Sequence, residues 1–115
     1  MSRDPALYLD DIIEAIDVIN GYMAGVSHDH FFDTRLIQDA VLRRIAIIGE
    51  AAQHLPRQLT DRYPAIPWVD IVGMRNRVIH GYFVVSLDRI WNVIHHDLPV
   101  LRQAIEELRD EHGSC

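Results

Sequence analysis

Apolar residues recur every three or four positions along most of the chain, which is the period of an α-helix with one buried face. The first run begins after Asp4 and Pro5, an N-cap residue and a first helical residue, and ends at Gly25. Its apolar positions are Leu9, Ile12, Ile13, Ile16, Ile19 and Met23. This pattern predicts a first helix that packs one face against the core.

A second run extends from a cap at Asp33 to Pro56, after a polar loop over residues 27–32. Its main apolar positions are Ile37, Val41, Ile45, Ile48, Ala52 and Leu55. Leu36, Leu42 and Ile47 add apolar groups on its other faces. A stripe this wide predicts a second buried contact, which a dimer seam would provide.

Proline and glycine divide the rest of the chain into a short element at 57–63, an extended turn at 64–67 and two more helices. The third helix is predicted from Pro67 or Trp68 to Gly81, and the fourth from a cap at Ser86, with a bend at Pro99. The fourth run contains Leu87, Ile90, Ile94, Leu98, Leu101, Ile105 and Leu108. Residues 82–85 form the one strand-like stretch, and they have no partner. The prediction is an all-α, antiparallel up-and-down bundle of four to five helices, in a single domain over residues 1–115.

Composition fits this picture. The chain has 115 residues, of which 49% are hydrophobic and 24% charged, as in ordinary globular domains. The lone cysteine, Cys115, is the last residue, so neither a disulfide framework nor a cysteine zinc site is expected. No apolar run has the length of a membrane span or a signal segment. We therefore expect a protein of the cytoplasm that does not contact membranes.

The net charge of −6 opposes long-range attraction to a polyanion, so the position of the cations matters more than their number. Residues 71–87 contain Arg75, Arg77 and His80 and no carboxylate. This window predicts a local positive surface on an otherwise acidic protein.

An arginine and a histidine five positions apart near the end of a helix suit the cleavage of RNA. RNA carries its own nucleophile, the 2′-hydroxyl, so the protein needs to supply only proton transfer and charge stabilisation. His80 can transfer protons near neutral pH, and Arg75 offers a planar fork that matches phosphate oxygens. Two protomers facing each other would supply one imidazole for the 2′ proton and one for the leaving 5′ oxygen. This chemistry requires no metal and no cofactor, but it makes a dimer part of the hypothesis.

The segment Arg75-Asn76-Arg77-Val78-Ile79-His80-Gly81-Tyr82 resembles the Arg-x4-His-x-Tyr motif of HepT-like toxins in the HEPN superfamily. The similarity extends through residues 48–52, 63–68 and 97–99, so it covers most of the chain. It implies a homodimeric, metal-independent endoribonuclease of four to five helices that cuts RNA, with tRNA as the expected substrate and with Arg75 and His80 catalytic.

The same resemblance implies a partner. It is a cognate antitoxin, a minimal nucleotidyltransferase that silences the toxin by adding AMP to the motif tyrosine, here Tyr82, as in type VII-like toxin–antitoxin systems. An adenylate on this tyrosine would place bulk and negative charge where the substrate phosphate must lie, so steric block and repulsion would act together.

Several neighbouring residues have two interpretations. Asn76 could orient His80 or the substrate, or simply lie on a helix surface. Glu50 could reach and orient Arg75 or His80, although a solvated glutamate is the more common alternative. Arg77, together with Arg43 and Arg44, could contact RNA phosphates or remain solvated.

The histidine-rich segments 28–30 and 95–96 lack the i, i+4 spacing and third ligand of a zinc site, so no metal is predicted there. Trp68 and Trp91 are expected to be core or interface anchors.

Two rival functions remain open. In one, the chain is a non-catalytic accessory subunit that binds a nucleotide or a nucleotidyltransferase. In the other, it is a structural dimerisation bundle, which leaves the carboxylate-free window without explanation.

Overall fold

A computed structural model describes residues 4–79 and 86–113, and in these ranges every regular secondary-structure element is a helix. In chain order the helices are α1 Pro5–Met23, α2 His28–Asp33, α3 Arg35–Gln53, α4 Arg57–Thr60, α5 Trp68–Ile79, α6 Leu87–Asn92 and α7 Leu98–Gly113. A π-helical segment, Val93–Asp97, joins α6 to α7. The all-helical bundle predicted from the sequence is confirmed.

The helix starts follow from local hydrogen bonding. Asp4 accepts a hydrogen bond from the backbone N–H of Ala6 at 2.9 Å, so it caps α1 as predicted. Ser86 likewise caps α6 by accepting from the backbone N–H of Arg89 at 3.4 Å. After α1, Gly25 turns the chain with a positive φ of 73°, a conformation that glycine adopts without strain.

The predicted cap at Asp33 is wrong. Ser27 caps a separate helix, α2, which buries Phe31 and ends at Asp33, and α3 then starts at Arg35 without a side-chain cap. The side chain of Gln38 compensates by donating to the backbone carbonyls of Phe31 and Phe32, at 2.9 and 3.0 Å. The stretch predicted as a polar loop therefore includes a helix, because a buried aromatic ring fixes it against α3.

Helices α1, α3, α5 and α7 form the body of the bundle, in which α1 packs against α3 and α7, and α3 also packs against α5. The buried core has members from each of these helices and from α6 and the π segment. The largest fully buried side chains are Phe31, Leu9, Ile12, Ile16, Ile19, Ile48, Ile90, Leu101, Ile105, Leu108 and Val41. Most lie at the positions that the helical period predicted.

Two features fix the second half of the bundle. The half-buried Trp68 anchors the start of α5 by donating its indole N–H to the carbonyls of Thr60 and Tyr63, at 3.1 and 3.2 Å. Further along, the π segment precedes Pro99. A proline has no N–H and its ring crowds the carbonyl four residues earlier, so a widened turn at this point relieves both problems.

None of the described helices has the length and apolar content needed to span a membrane. The predicted helix end at Gly81, the strand-like residues 82–85, the motif residues His80 and Tyr82, and Cys115 lie outside the described residues.

Candidate active site

The site is built where α3 and α5 cross. A Cβ atom added at Gly49 would lie 2.5 Å from the Cβ of Arg75 and 2.8 Å from the carbonyl oxygen of Ile71. Both of these atoms are fixed by the backbone of α5, so only glycine permits the approach. Gly49 therefore brings Arg75 directly against α3, next to Glu50.

Glu50 and Asn76 hold the guanidinium of Arg75. The Nε atom lies 2.9 Å from Oε2 of Glu50, and Nη1 donates to Oδ1 of Asn76 at 2.8 Å. The Nε–H is buried and does not point at the carboxylate, so this contact is an ion pair without a well-formed hydrogen bond. The third nitrogen, Nη2, makes no hydrogen bond to a described residue. The arginine is thus positioned, and contacts with described residues use only part of its hydrogen-bonding capacity.

Glu50 contacts a second basic group through its other oxygen. Oε1 lies 3.4 Å from Nε2 of His54, one helical turn further along α3. The imidazole of His54 is stacked on the ring of Tyr8 from α1, with centroids 5.0 Å apart and the planes 14° from parallel. A chain of contacts therefore links α1, α3 and α5 and ends at Arg75.

Of these residues, Tyr8, Glu50 and Arg75 border an open groove of about 590 Å³, which we call the α3 groove. Its lining residues are Tyr8, Asp11, Asp39, Leu42, Arg43, Ala46, Ile47, Glu50, Ala51 and Arg75. The apolar members come from α3, and the charged members are three carboxylates and two arginines. The carboxylate-free window of the sequence is thus not carboxylate-free in space, because α1 and α3 bring acidic groups beside Arg75.

The remaining sequence-predicted residues are only partly brought together. Arg43 lines the groove with Arg75, whereas Arg44 is half-buried and is not among the lining residues. Arg77 is exposed near the end of α5. Asn76 binds Arg75, and of the two interpretations of Glu50 the structure shows the contact with Arg75.

Three members of this site, Gly49, His54 and Tyr8, were not predicted from the sequence. The four-residue spacing of Glu50 and His54 on a helix could have revealed their contact. Nothing in the sequence pairs Tyr8 with His54, because that contact depends on how α1 crosses α3. The role of Gly49 requires knowledge of the crossing point of α3 and α5.

A second aromatic and histidine cluster lies at α2 and α6. Trp91 is half-buried, with His95 stacked on it at 4.0 Å and with His28 and Phe31 at 5.0 and 5.8 Å, as expected for an anchor. Within residues 4–79 and 86–113, no three His, Cys, Asp or Glu side chains converge to hold a metal ion.

Comparison with known proteins adds independent information. Residues 12–108 match the family model described as "Ribonuclease HepT-like". A Thermococcus cleftensis protein named as a candidate ribonuclease HepT is 36% identical over 109 residues, covering 95% of this chain and 99% of that protein. A candidate RNase of Methanocaldococcus jannaschii is 30% identical, with 90% and 95% of the two chains covered.

A longer relative also matches. It is a Methanocaldococcus jannaschii protein whose name combines a gamma-glutamylcyclotransferase with a candidate RNase, and it is 40% identical over 96% of this chain. The present chain spans half the length of that protein. No solved structure matches. Because the family model covers nearly the whole described bundle and full-length relatives agree with it, this chain belongs to the family of HepT-like ribonucleases of the HEPN superfamily.

Proposed function

We propose that this protein is a metal-independent endoribonuclease toxin, in which Arg75 stabilises the scissile phosphate and His80 transfers protons. The observation that carries the proposal is the state of Arg75. Its guanidinium is held at the edge of the α3 groove by Glu50 and Asn76, and Nη2 makes no hydrogen bond to a described residue. A planar cation held in this way is suited to bind phosphate oxygens.

The reaction needs two proton transfers. One imidazole removes the proton of the 2′-hydroxyl, and the 2′-oxygen attacks phosphorus. The bond from phosphorus to the 5′-oxygen breaks as a second imidazole protonates that oxygen, leaving a 2′,3′-cyclic phosphate and a 5′-hydroxyl. Arg75 stabilises the charge that develops on the phosphate oxygens, an effect typically worth roughly 10² to 10³ in rate.

A homodimer supplies the second imidazole. The α3 face supports this assignment, because Leu36 is 79% exposed and Leu42 and Ile47 are only half-buried along the groove. An apolar face of this kind on a small domain favours contact with another chain. A twofold axis near this face would bring two copies of the motif to the same phosphodiester.

RNA is the proposed substrate, with tRNA as the expected class. Arg43 lies on the same groove as Arg75, and Arg77 lies exposed two residues beyond it on α5. We assign both to backbone phosphates, and Arg44 to a supporting contact at most. The acidic groups Asp11 and Asp39 on the groove would restrict where the RNA can pass.

Regulation follows from the motif tyrosine. We assign Tyr82 as the site at which a nucleotidyltransferase antitoxin adds AMP, in a type VII-like system of the cytoplasm. The added phosphate and adenosine would compete with the substrate phosphate for the Arg75 guanidinium by charge and by volume.

The first experiment expresses the wild-type protein, His80→Ala and the control His96→Ala, and follows growth arrest and tRNA integrity. His96 is exposed on the π segment, so its loss should leave the activity intact. We expect arrest and cleaved tRNA for the wild type and His96→Ala, but not for His80→Ala. Equal behaviour of all three would contradict an enzymatic role and favour an accessory subunit.

The second experiment measures the intact mass of the protein after coexpression with a nucleotidyltransferase encoded beside it. We expect a gain of one or more adenylate units in the wild type and none in Tyr82→Phe. A gain that persists in Tyr82→Phe would place the modification elsewhere.

A further inference from the structure

His54 occupies a position from which it can alter the charge around Arg75, because both side chains contact Glu50. It shares the carboxylate of Glu50 with Arg75, since Oε1 lies 3.4 Å from its Nε2 while Oε2 lies 2.9 Å from the Nε of Arg75. Both Glu50 and His54 have side chains that are 48% exposed, so solvent reaches both groups. The Glu50 carboxylate therefore contacts two basic groups, one through each oxygen.

The surroundings of His54 hold it in this position. Tyr8 stacks on its ring from α1, Glu50 faces it from its own helix, and Asp11 and Arg75 border the same groove from α1 and α5. With the ring stacked in this way, Nε2 of His54 faces Oε1 of Glu50 at 3.4 Å. Imidazole is the one ordinary side chain whose charge changes between about pH 5 and pH 8.

The net charge of Arg75, Glu50 and His54 together depends on whether the imidazole of His54 is protonated. With a neutral imidazole, the positive charge of Arg75 and the negative charge of Glu50 cancel. With a protonated imidazole, the same three side chains carry one net positive charge. Glu50 is then drawn towards His54 and compensates Arg75 less, so the guanidinium attracts a phosphate more strongly.

We propose that His54 is a positioning residue which, by competing with Arg75 for Glu50, strengthens the binding of the RNA phosphate as the pH falls. This inference rests on the proposed role of Arg75 in binding RNA. It leaves the proton transfers to His80, so it is measured as Kd under conditions in which the RNA is not cleaved.

Binding is best measured in a His80→Ala background, because this variant does not cleave the RNA and removes the titration of His80 itself. The probe is a short single-stranded RNA with a pH-insensitive fluorophore, followed by anisotropy between about pH 8 and about pH 5.5. We expect Kd to fall roughly fivefold beyond the change that other histidines cause, as one added charge near the site predicts.

Three variants in this background separate charge from structure. His54→Gln keeps a hydrogen-bond donor for Glu50 without a charge, so it should lose the fivefold gain. His54→Arg carries a permanent charge and should bind tightly at every pH. His96→Gln, which removes an exposed histidine of the π segment, should keep the gain and shows how much any distant histidine contributes.

A second readout needs no RNA. The ¹⁵Nε resonance of Arg75 should shift between about pH 8 and about pH 5.5, and this shift should disappear in His54→Gln and in Glu50→Gln. If the resonance does not follow pH and His54→Gln binds RNA as its parent does at every pH, the inference is overturned. If the resonance follows pH but the parent binds no RNA, the contact between His54 and Arg75 stands and the proposed ribonuclease function fails.

Discussion

Among the arginine–carboxylate pairs that join described helices of this bundle, two consist of the same chemical groups but differ in how those groups are bonded. Arg102 of α7 pairs with Asp17 of α1, and Arg75 of α5 pairs with Glu50 of α3. The exposed fractions of the two arginine side chains are similar, 33% and 26%. Burial therefore does not distinguish them.

Hydrogen-bond geometry does distinguish them. Arg102 donates from Nε and Nη2 to both oxygens of Asp17, at 2.8 and 3.2 Å, and from Nη1 to Glu106 at 3.0 Å. Each of its three nitrogens is used. Arg75 has a misaligned ion pair at Nε, a bond from Nη1 to its neighbour Asn76, and no hydrogen bond from Nη2 to a described residue. An arginine whose three nitrogens all donate to carboxylates, as in Arg102, stabilises a contact between helices. An arginine with a nitrogen that donates to none of the described residues, as in Arg75, can offer that donor to a ligand.

Substitution of the two arginines should give opposite results, and this is the largest effect we expect. Arg75→Ala should lower the rate of RNA cleavage by roughly 10² to 10³, because it removes charge stabilisation at the phosphate. It should change the free energy of unfolding by no more than about 1 kcal/mol. The measurements are initial cleavage rates and urea unfolding.

Arg102→Ala is the matched control for this pair. It should leave the cleavage rate within about twofold, because Arg102 contacts Asp17 and Glu106 and does not line the α3 groove, and it should lower stability measurably but modestly. A comparable loss of cleavage in both variants would mean that the hydrogen-bond difference between the two arginines does not report function.

The next largest effect should come from substitution of Gly49, where α3 and α5 approach each other closely and position Arg75. Gly49→Ala adds a methyl group against the Cβ of Arg75 and the carbonyl of Ile71, so α5 must shift. Overpacking of this kind typically costs about 1 to 3 kcal/mol. We expect lower stability in urea unfolding together with slower cleavage, since the shift moves Arg75 relative to Glu50.

Gly73→Ala, on α5 itself, is the control for this prediction. A Cβ there meets nothing within 4 Å, so alanine should stabilise the helix by about 0.5 to 1 kcal/mol. If Gly49→Ala proved as stable as Gly73→Ala, the crossing of α3 and α5 would be looser than the structure indicates.

The helical bundle could be predicted from the sequence because each helix has its own period of apolar residues. The buried faces of α1 and α7 follow this period closely, from Leu9 to Met23 and from Leu98 to Leu108. The prediction failed at Asp33, because the short helix α2 depends on Phe31 and on the reach of Gln38 from α3. Such a contact joins residues that no local pattern relates.

The site was predictable only in part for the same reason. Arg75 and its neighbours could be selected because they form one continuous segment that resembles a known motif. Glu50 could be considered because it lies within residues 48–52, another segment in which the sequence resembles the same family. The contacts of Glu50 with both Arg75 and His54 depend on the crossing of α3 and α5 at Gly49, which is a tertiary property. The absence of carboxylates from residues 71–87 was also misleading, because the carboxylates that lie near Arg75 in space belong to α1 and α3.

The smallest effect we expect is the pH dependence of the stability that the Arg102–Asp17 pair contributes. The hydrogen bond from Arg102 lowers the pKa of Asp17 below its ordinary value. A carboxyl group with a lowered pKa in the folded state contributes stability above the ordinary pKa of about 3.9, and this contribution is lost as the pH falls through the lowered value. Because the Asp17 side chain is 51% exposed, the contribution at neutral pH should be under about 1 kcal/mol.

Asp17→Asn tests this assignment by thermal unfolding at neutral pH and again well below the ordinary carboxyl pKa. The variant should be slightly less stable than the wild type at neutral pH, and the difference should shrink towards zero in acid, where the wild-type carboxyl is also losing its charge. Asp33→Asn, an exposed position, should match the wild type at both pH values. A difference that persists in acid would show that Asp17 acts through packing, and the contrast between Arg102 and Arg75 would then lose its electrostatic basis.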